Sequence, residues 1–125
     1  MRNNLVAFGA ALFGQAAMAQ AVLDEQDAML YLESLAIPKK AAVCAKRVEE
    51  FSVKFDPSFV KWRRANEKQI QRGEQFLRSA AAAENRDFKS NVEAVTDEAA
   101  KLLSSATQSI VKENCEALLG IVGAI

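Results

Sequence analysis

The sequence contains no histidine. That removes Ser-His-Asp and Cys-His catalysis and every His-ligated metal site. Its two cysteines, Cys44 and Cys115, are too few for a structural zinc site. Glycine is scarce: beyond residue 19 it occurs only at Gly73, Gly120 and Gly123. The prolines are Pro38 and Pro57, and neither asparagine-glycine nor aspartate-glycine, the usual hairpin turns, occurs. Sixteen bases balance sixteen acids, so the electrostatic footprint of a nucleic-acid binder is missing. No apolar run approaches the ~20 residues that a membrane span needs.

What is present begins with an address. Residues 1–19 read MRNNLVAFGAALFGQAAMA: one charge at Arg2, a short apolar run from Leu5 to Phe13, and a small-x-small site at Ala17-Met18-Ala19. These parts in this order predict a secretory signal peptide cleaved after Ala19, with Ala21 a second site that fits. The remaining single domain, 20–125, is expected in the periplasm or outside the cell. No Cys follows the apolar run and no Arg pair precedes it, which argues against a lipoprotein anchor and the folded-protein export route.

Abundant Ala and apolar residues at steps of three and four predict an all-α fold, a compact bundle of about four helices. The first expected helix covers 21–36, with Asp24, Glu25 and Asp27 at its positive end. Ile37-Pro38 is read as a break, with Pro38 opening a second helix whose stripe is Ala41, Cys44, Val48, Phe51 and Phe55. Asp56-Pro57 then opens a third helix reaching Ala83, and Asn85-Arg86-Asp87 separates it from the last. Ser90-Asn91-Val92-Glu93 fits a capping box for that last helix, and Ser105 with Gln108 fits a weaker second start.

In an oxidising compartment the two cysteines are expected to pair. Closing that loop stabilises the fold by roughly 4 kcal/mol in the chain-entropy description. Three straight antiparallel helices would leave Cys44 and Cys115 at heights of ~16 Å and ~4 Å, at 1.5 Å per residue. A bond needs Cα atoms within ~7 Å. Something must shorten the path: a bend at Gly73, steep crossings, or a break near Ser104-Ser105, which is the favoured one.

Charge is unevenly placed. Residues 20–38 hold four acids and no base, 39–83 hold eleven bases and five acids, and 84–125 hold four bases and seven acids. Lys61, Arg64, Lys68 and Arg72 step by three and four and form a basic stripe, a candidate docking face for an acidic partner. Phe59, Trp62 and Asn66 share one helical face. They are either core packing with a satisfied amide or a pocket with Trp62 as wall and Asn66 as polar anchor. No opposed carboxylate pair, calcium loop or redox C-x-x-C occurs, so no catalytic residue, metal or cofactor is assigned.

The expectation is a non-catalytic exported protein that acts by binding another protein, of inhibitor or immunity type. The layout is similar, in architecture alone, to exported immunity proteins that neutralise cell-wall amidase toxins, and no residues carry over from that resemblance. Two alternatives stand beside it: a periplasmic holdase, similar in layout to acid-stress chaperones with one disulfide, and a structural subunit of an envelope complex. Neither nucleic acid nor a membrane span is expected.

Overall fold

The computed structural model describes the backbone of residues 2–125 and the side chains of residues 18–125. Side chains up to Ala17, most of the segment read as a signal peptide, lie outside the described residues. Five helices follow in order: α1 (Arg2–Arg47), α2 (Phe51–Ala65), α3 (Glu67–Ala83), α4 (Phe88–Ser104) and α5 (Gln108–Ile121). Among the described residues there is no strand. The all-α bundle and its disulfide are as expected, with five helices in place of about four.

α1 is the axis, and each of the other helices packs against it. It runs straight through Ile37-Pro38, where the sequence predicts a break. Pro38 lacks the N–H for the Ser34 carbonyl, a loss that costs about 3 kcal/mol in a helix interior. Tertiary contacts on both sides outweigh it. Ile37 and Ala41 are buried in the core, and Lys39 Nζ donates to Thr96 Oγ1 and Asp97 Oδ1, both at 2.6 Å.

The chain reverses instead at residues 48–50. Glu50 takes a left-handed conformation, φ 61°, and α2 starts at Phe51 rather than at Pro57, which lies inside the helix. The expected third helix is also divided. Asn66 ends α2 and precedes α3, and its side-chain Nδ2 donates to the Trp62 carbonyl at 2.8 Å. Such a side chain competes with the helix for its own carbonyls.

α3 lies against α1 at Gly73. A Cβ there would collide with the carbonyl of Asp27, so only glycine permits this approach. After the turn at 84–87, α4 begins at Phe88 behind Asp87 in extended conformation. Ser90 therefore lies inside the first turn, where its hydroxyl bonds to the Asp87 carboxylate, rather than at the N-cap.

α4 runs parallel to α1 at a constant sequence offset. Tyr31 stacks on Phe88, Lys39 bonds to Thr96, and Arg47 bonds to the Ser104 carbonyl, each pair 57 apart. The predicted break near Ser104-Ser105 is present: α4 ends at Ser104 and α5 starts at Gln108. Thr107, two residues beyond the predicted Ser105, is the N-cap and accepts from the Ile110 N–H.

That corner turns α5 back onto α1 and closes the Cys44–Cys115 disulfide, with Cα atoms 5.7 Å apart. Around it lies the core: Ile37 and Ala41 of α1, Phe51 and Phe55 of α2, Leu103 of α4, and Val111, Leu118 and Leu119 of α5. The apolar C-terminal segment joins this core through Leu118, Leu119 and Val122, while Ile121 and Ile125 face outward. Gly123, φ 78°, ends α5 in a left-handed turn in which the Ala124 N–H reaches the Leu119 carbonyl at 2.8 Å. No helix among the described residues is long and apolar enough to cross a membrane.

Candidate functional site

Four aromatic residues of α2 form a ladder. Phe51, Phe55, Phe59 and Trp62 stack in succession at centroid separations of 5.2, 5.3 and 5.9 Å. The spacing of four, four and three keeps them on one helical face. Phe51 and Phe55 are buried, whereas Phe59 and Trp62 are half-buried and pack on the edge of the core. The ladder thus leads from the disulfide to the surface.

At its outer end the division at Asn66 leaves a cleft of about 550 Å³ between α1, α2 and α3. Tyr31, Phe59, Val60 and Ile70 form its apolar walls, and Arg63 and Arg64 line it from α2. Glu67 and Glu74 line it from α3. Glu74 pairs with Arg78 at 3.6 Å, while Arg63 and Arg64 have no ion-pair or hydrogen-bond partner among the described residues. Two free guanidiniums therefore face one uncommitted carboxylate, and the cleft favours an anion.

Tyr31 is the single tyrosine of the chain and is almost wholly buried. Burial pushes its phenol above the ordinary value; the negative charge of Glu74 adds to this, and the positive charge of Arg78 opposes it. The Arg78 guanidinium itself sits 4.2 Å from the centroid of the Phe88 ring.

Of the predicted site residues, Phe59 and Arg64 line this cleft. Trp62 and Asn66 do not, since Trp62 stacks behind Phe59 and the Asn66 amide bonds to backbone. The basic stripe is divided between two helices, Lys61 and Arg64 on α2, Lys68 and Arg72 on α3, and all four are exposed. Arg72 Nε holds Asp27 Oδ2 at 3.0 Å and so belongs to the α1–α3 contact. Lys61, Arg64 and Lys68 have no such partner among the described residues.

Three features escaped the sequence reading. Tyr31 and Ile70 carry no sequence signal as cleft residues, because the division at Asn66 that opens the cleft has no proline or glycine to announce it. Arg63 lies outside the three-and-four spacing of the stripe. Arg47 clasps the α4–α5 corner: Nη1 donates to the Ser104 and Ala106 carbonyls, Nε donates to Gln108 Oε1, and Gln108 Nε2 returns a bond to the Arg47 carbonyl at 2.9 Å. Two helix ends, α1 and α4, thereby satisfy carbonyls that would otherwise lack donors.

A second concavity lies between α4 and α5. It has a volume of about 300 Å³, and Leu102, Ile110 and Ile121 line it while remaining about half or more exposed. Among the described residues no three His, Cys, Asp or Glu side chains come together in a way that could hold a metal ion. No protein-family model, curated protein or solved structure matches this chain.

Proposed function

We propose that this chain is an exported, non-catalytic binding protein of inhibitor or immunity type, whose α2–α3 face docks an acidic protein partner. The observation that carries the reading is the exposed cation set Lys61, Arg64 and Lys68, unpaired within the described residues beside a cleft of mixed apolar and charged lining. Exposed cations of one sign steer an acidic surface and fix its register. A buried disulfide in a chain without a membrane-crossing helix among its described residues agrees with export to an oxidising compartment.

The test is a crosslinking pull-down from the envelope of the source cell with tagged protein, at low and high salt. One stoichiometric partner is expected at neutral pH. The Lys61→Ala/Arg64→Ala/Lys68→Ala variant should retain its helical circular-dichroism signal and recover that partner at least about tenfold less well. Equal recovery by the variant would remove the basic face from the reading. Arg72 is left in place because its replacement would also loosen α3 from α1.

A holdase is the second reading, favoured by the exposed aliphatic lining of the α4–α5 concavity. Many clients captured only near pH 3, and none at neutral pH, would select it.

A further inference from the structure

We propose that the cleft between α1, α2 and α3 is an anchor pocket for an aromatic side chain flanked by carboxylates, carried on an exposed segment of the acidic partner. The inference rests on the reading of α2–α3 as a docking face and names what enters it. Shape sets the first requirement. The apolar part of the lining is Tyr31, Phe59, Val60 and Ile70; Tyr31 and Ile70 are almost wholly buried and form the floor, so the half-buried Phe59 ring and the half-exposed Val60 are the apolar surface on which an inserted ring packs. The rings are held from behind: Phe59 by its stacks on Phe55 and Trp62, Tyr31 by its stack on Phe88. A preformed pocket of this kind loses little side-chain freedom on binding.

Charge sets the second requirement. Arg63 and Arg64 line the cleft without a counter-charge of their own. A carboxylate beside the inserted ring meets a guanidinium fork in two-point geometry, and a guanidinium also stacks on an aromatic face. Glu67 on the opposite lip repels a carboxylate placed there and so orients the segment toward α2. A basic peptide would meet two cations and is disfavoured. A single-stranded nucleic acid has rings and negative charge as well, but the Glu67 carboxylate interrupts the cations of this face and leaves no continuous basic track for a phosphate backbone.

The probe is a capped, fluorescein-labelled pentapeptide with phenylalanine between two pairs of glutamates. Anisotropy is read against the oxidised full chain at about 150 mM salt, where long-range attraction is screened. Saturable one-to-one binding is expected, with a change in the emission of Trp62, the single tryptophan, which stacks on Phe59. Alanine in place of the peptide's phenylalanine should weaken binding at least about tenfold, and so should Val60→Glu or Arg63→Ala in the protein. Val60 is half exposed, so its variant should melt as the parent does. Lys61→Ala/Lys68→Ala should change peptide affinity less than about threefold, since neither lysine lines the cleft.

Equal binding of the alanine peptide, or affinity that follows Lys61 and Lys68 but not Val60, would overturn the pocket and leave the basic face standing. Absence of saturable binding would overturn the pocket as well, with the pull-down still deciding the face. Tighter binding of a labelled decathymidylate than of the peptide would replace it with a nucleic-acid site.

Discussion

Tyr31 shows how one residue connects packing to charge. Its ring is buried by α3 and α4, stacked on Phe88 at 6.0 Å, and its phenol feels Glu74 and Arg78. Burial raises the pKa, so the folded state holds the phenolic proton more tightly than the unfolded chain does. The associated stability is present at neutral pH and is lost as pH rises from about 10, the ordinary phenol value, through the raised folded value. A spectrophotometric titration of the phenolate band reads one group only, because the chain has one tyrosine. Its midpoint should lie above that of the guanidinium-unfolded protein. Coincident midpoints would mean that the phenol is hydrated and that the wall between the cleft and α4 admits water. Tyr31→Phe should remove the band and flatten the loss of stability at high pH.

The helices were legible in the sequence, but their ends were legible only where a residue alters the backbone by itself. Asn85-Arg86-Asp87 announced the α3–α4 turn, and the structure places Asn85 there at φ 54°. The need to bring Cys115 back to Cys44 announced the α4–α5 corner. Glu50 gave no warning, because a glutamate takes the left-handed conformation only when the surroundings impose it. Pro38 misled in the opposite sense, since packing of Ile37 and the Lys39 bonds to α4 hold α1 helical through it. The basic stripe was readable as spacing, whereas the cleft beside it required the division at Asn66 and the return of α3 onto α1.

That return depends on Gly73, which looks like a defect on a helical wheel. Helix propensity alone predicts that Gly73→Ala stabilises the protein by about 1 kcal/mol. The contact with the Asp27 carbonyl predicts the opposite. Overpacking costs typically about 1–3 kcal/mol, and here the obstacle is backbone, which cannot rotate away. Gly73→Ala should therefore lower the melting temperature and weaken the neighbouring Arg72–Asp27 pair, which lies at 3.0 Å. A higher melting temperature would show that α1 and α3 can separate at no cost, and the cleft between them would then have no fixed width.

At the scale of the whole molecule, one covalent bond joins the first helix to the last. Cys44 and Cys115 are 0% and 1% exposed and lie 71 residues apart in sequence, so the loop they close contains α2, α3 and α4. The α5 members of the core around the bond, Val111, Leu118 and Leu119, are buried in the same cluster as Ile37 and Ala41 of α1. The Arg47–Gln108 clasp reinforces the same corner from the outside, but its two bonds are solvent-exposed and contribute only about 1 kcal/mol each. The disulfide contributes more, roughly 4 kcal/mol. Cys44→Ala/Cys115→Ala should lower the melting temperature by about 10–25 °C, and reduction of the parent protein should act in the same direction. The loss should fall first on α5, because α1 keeps its contacts with α3 and α4 when the bond is absent. Hydrogen exchange in the double variant is therefore expected to accelerate at Val111–Leu119 before Ile70–Leu77. A shift below about 5 °C would place the stability of the corner in the apolar core and the Arg47 clasp instead, with the bond closing a junction that the packing already holds.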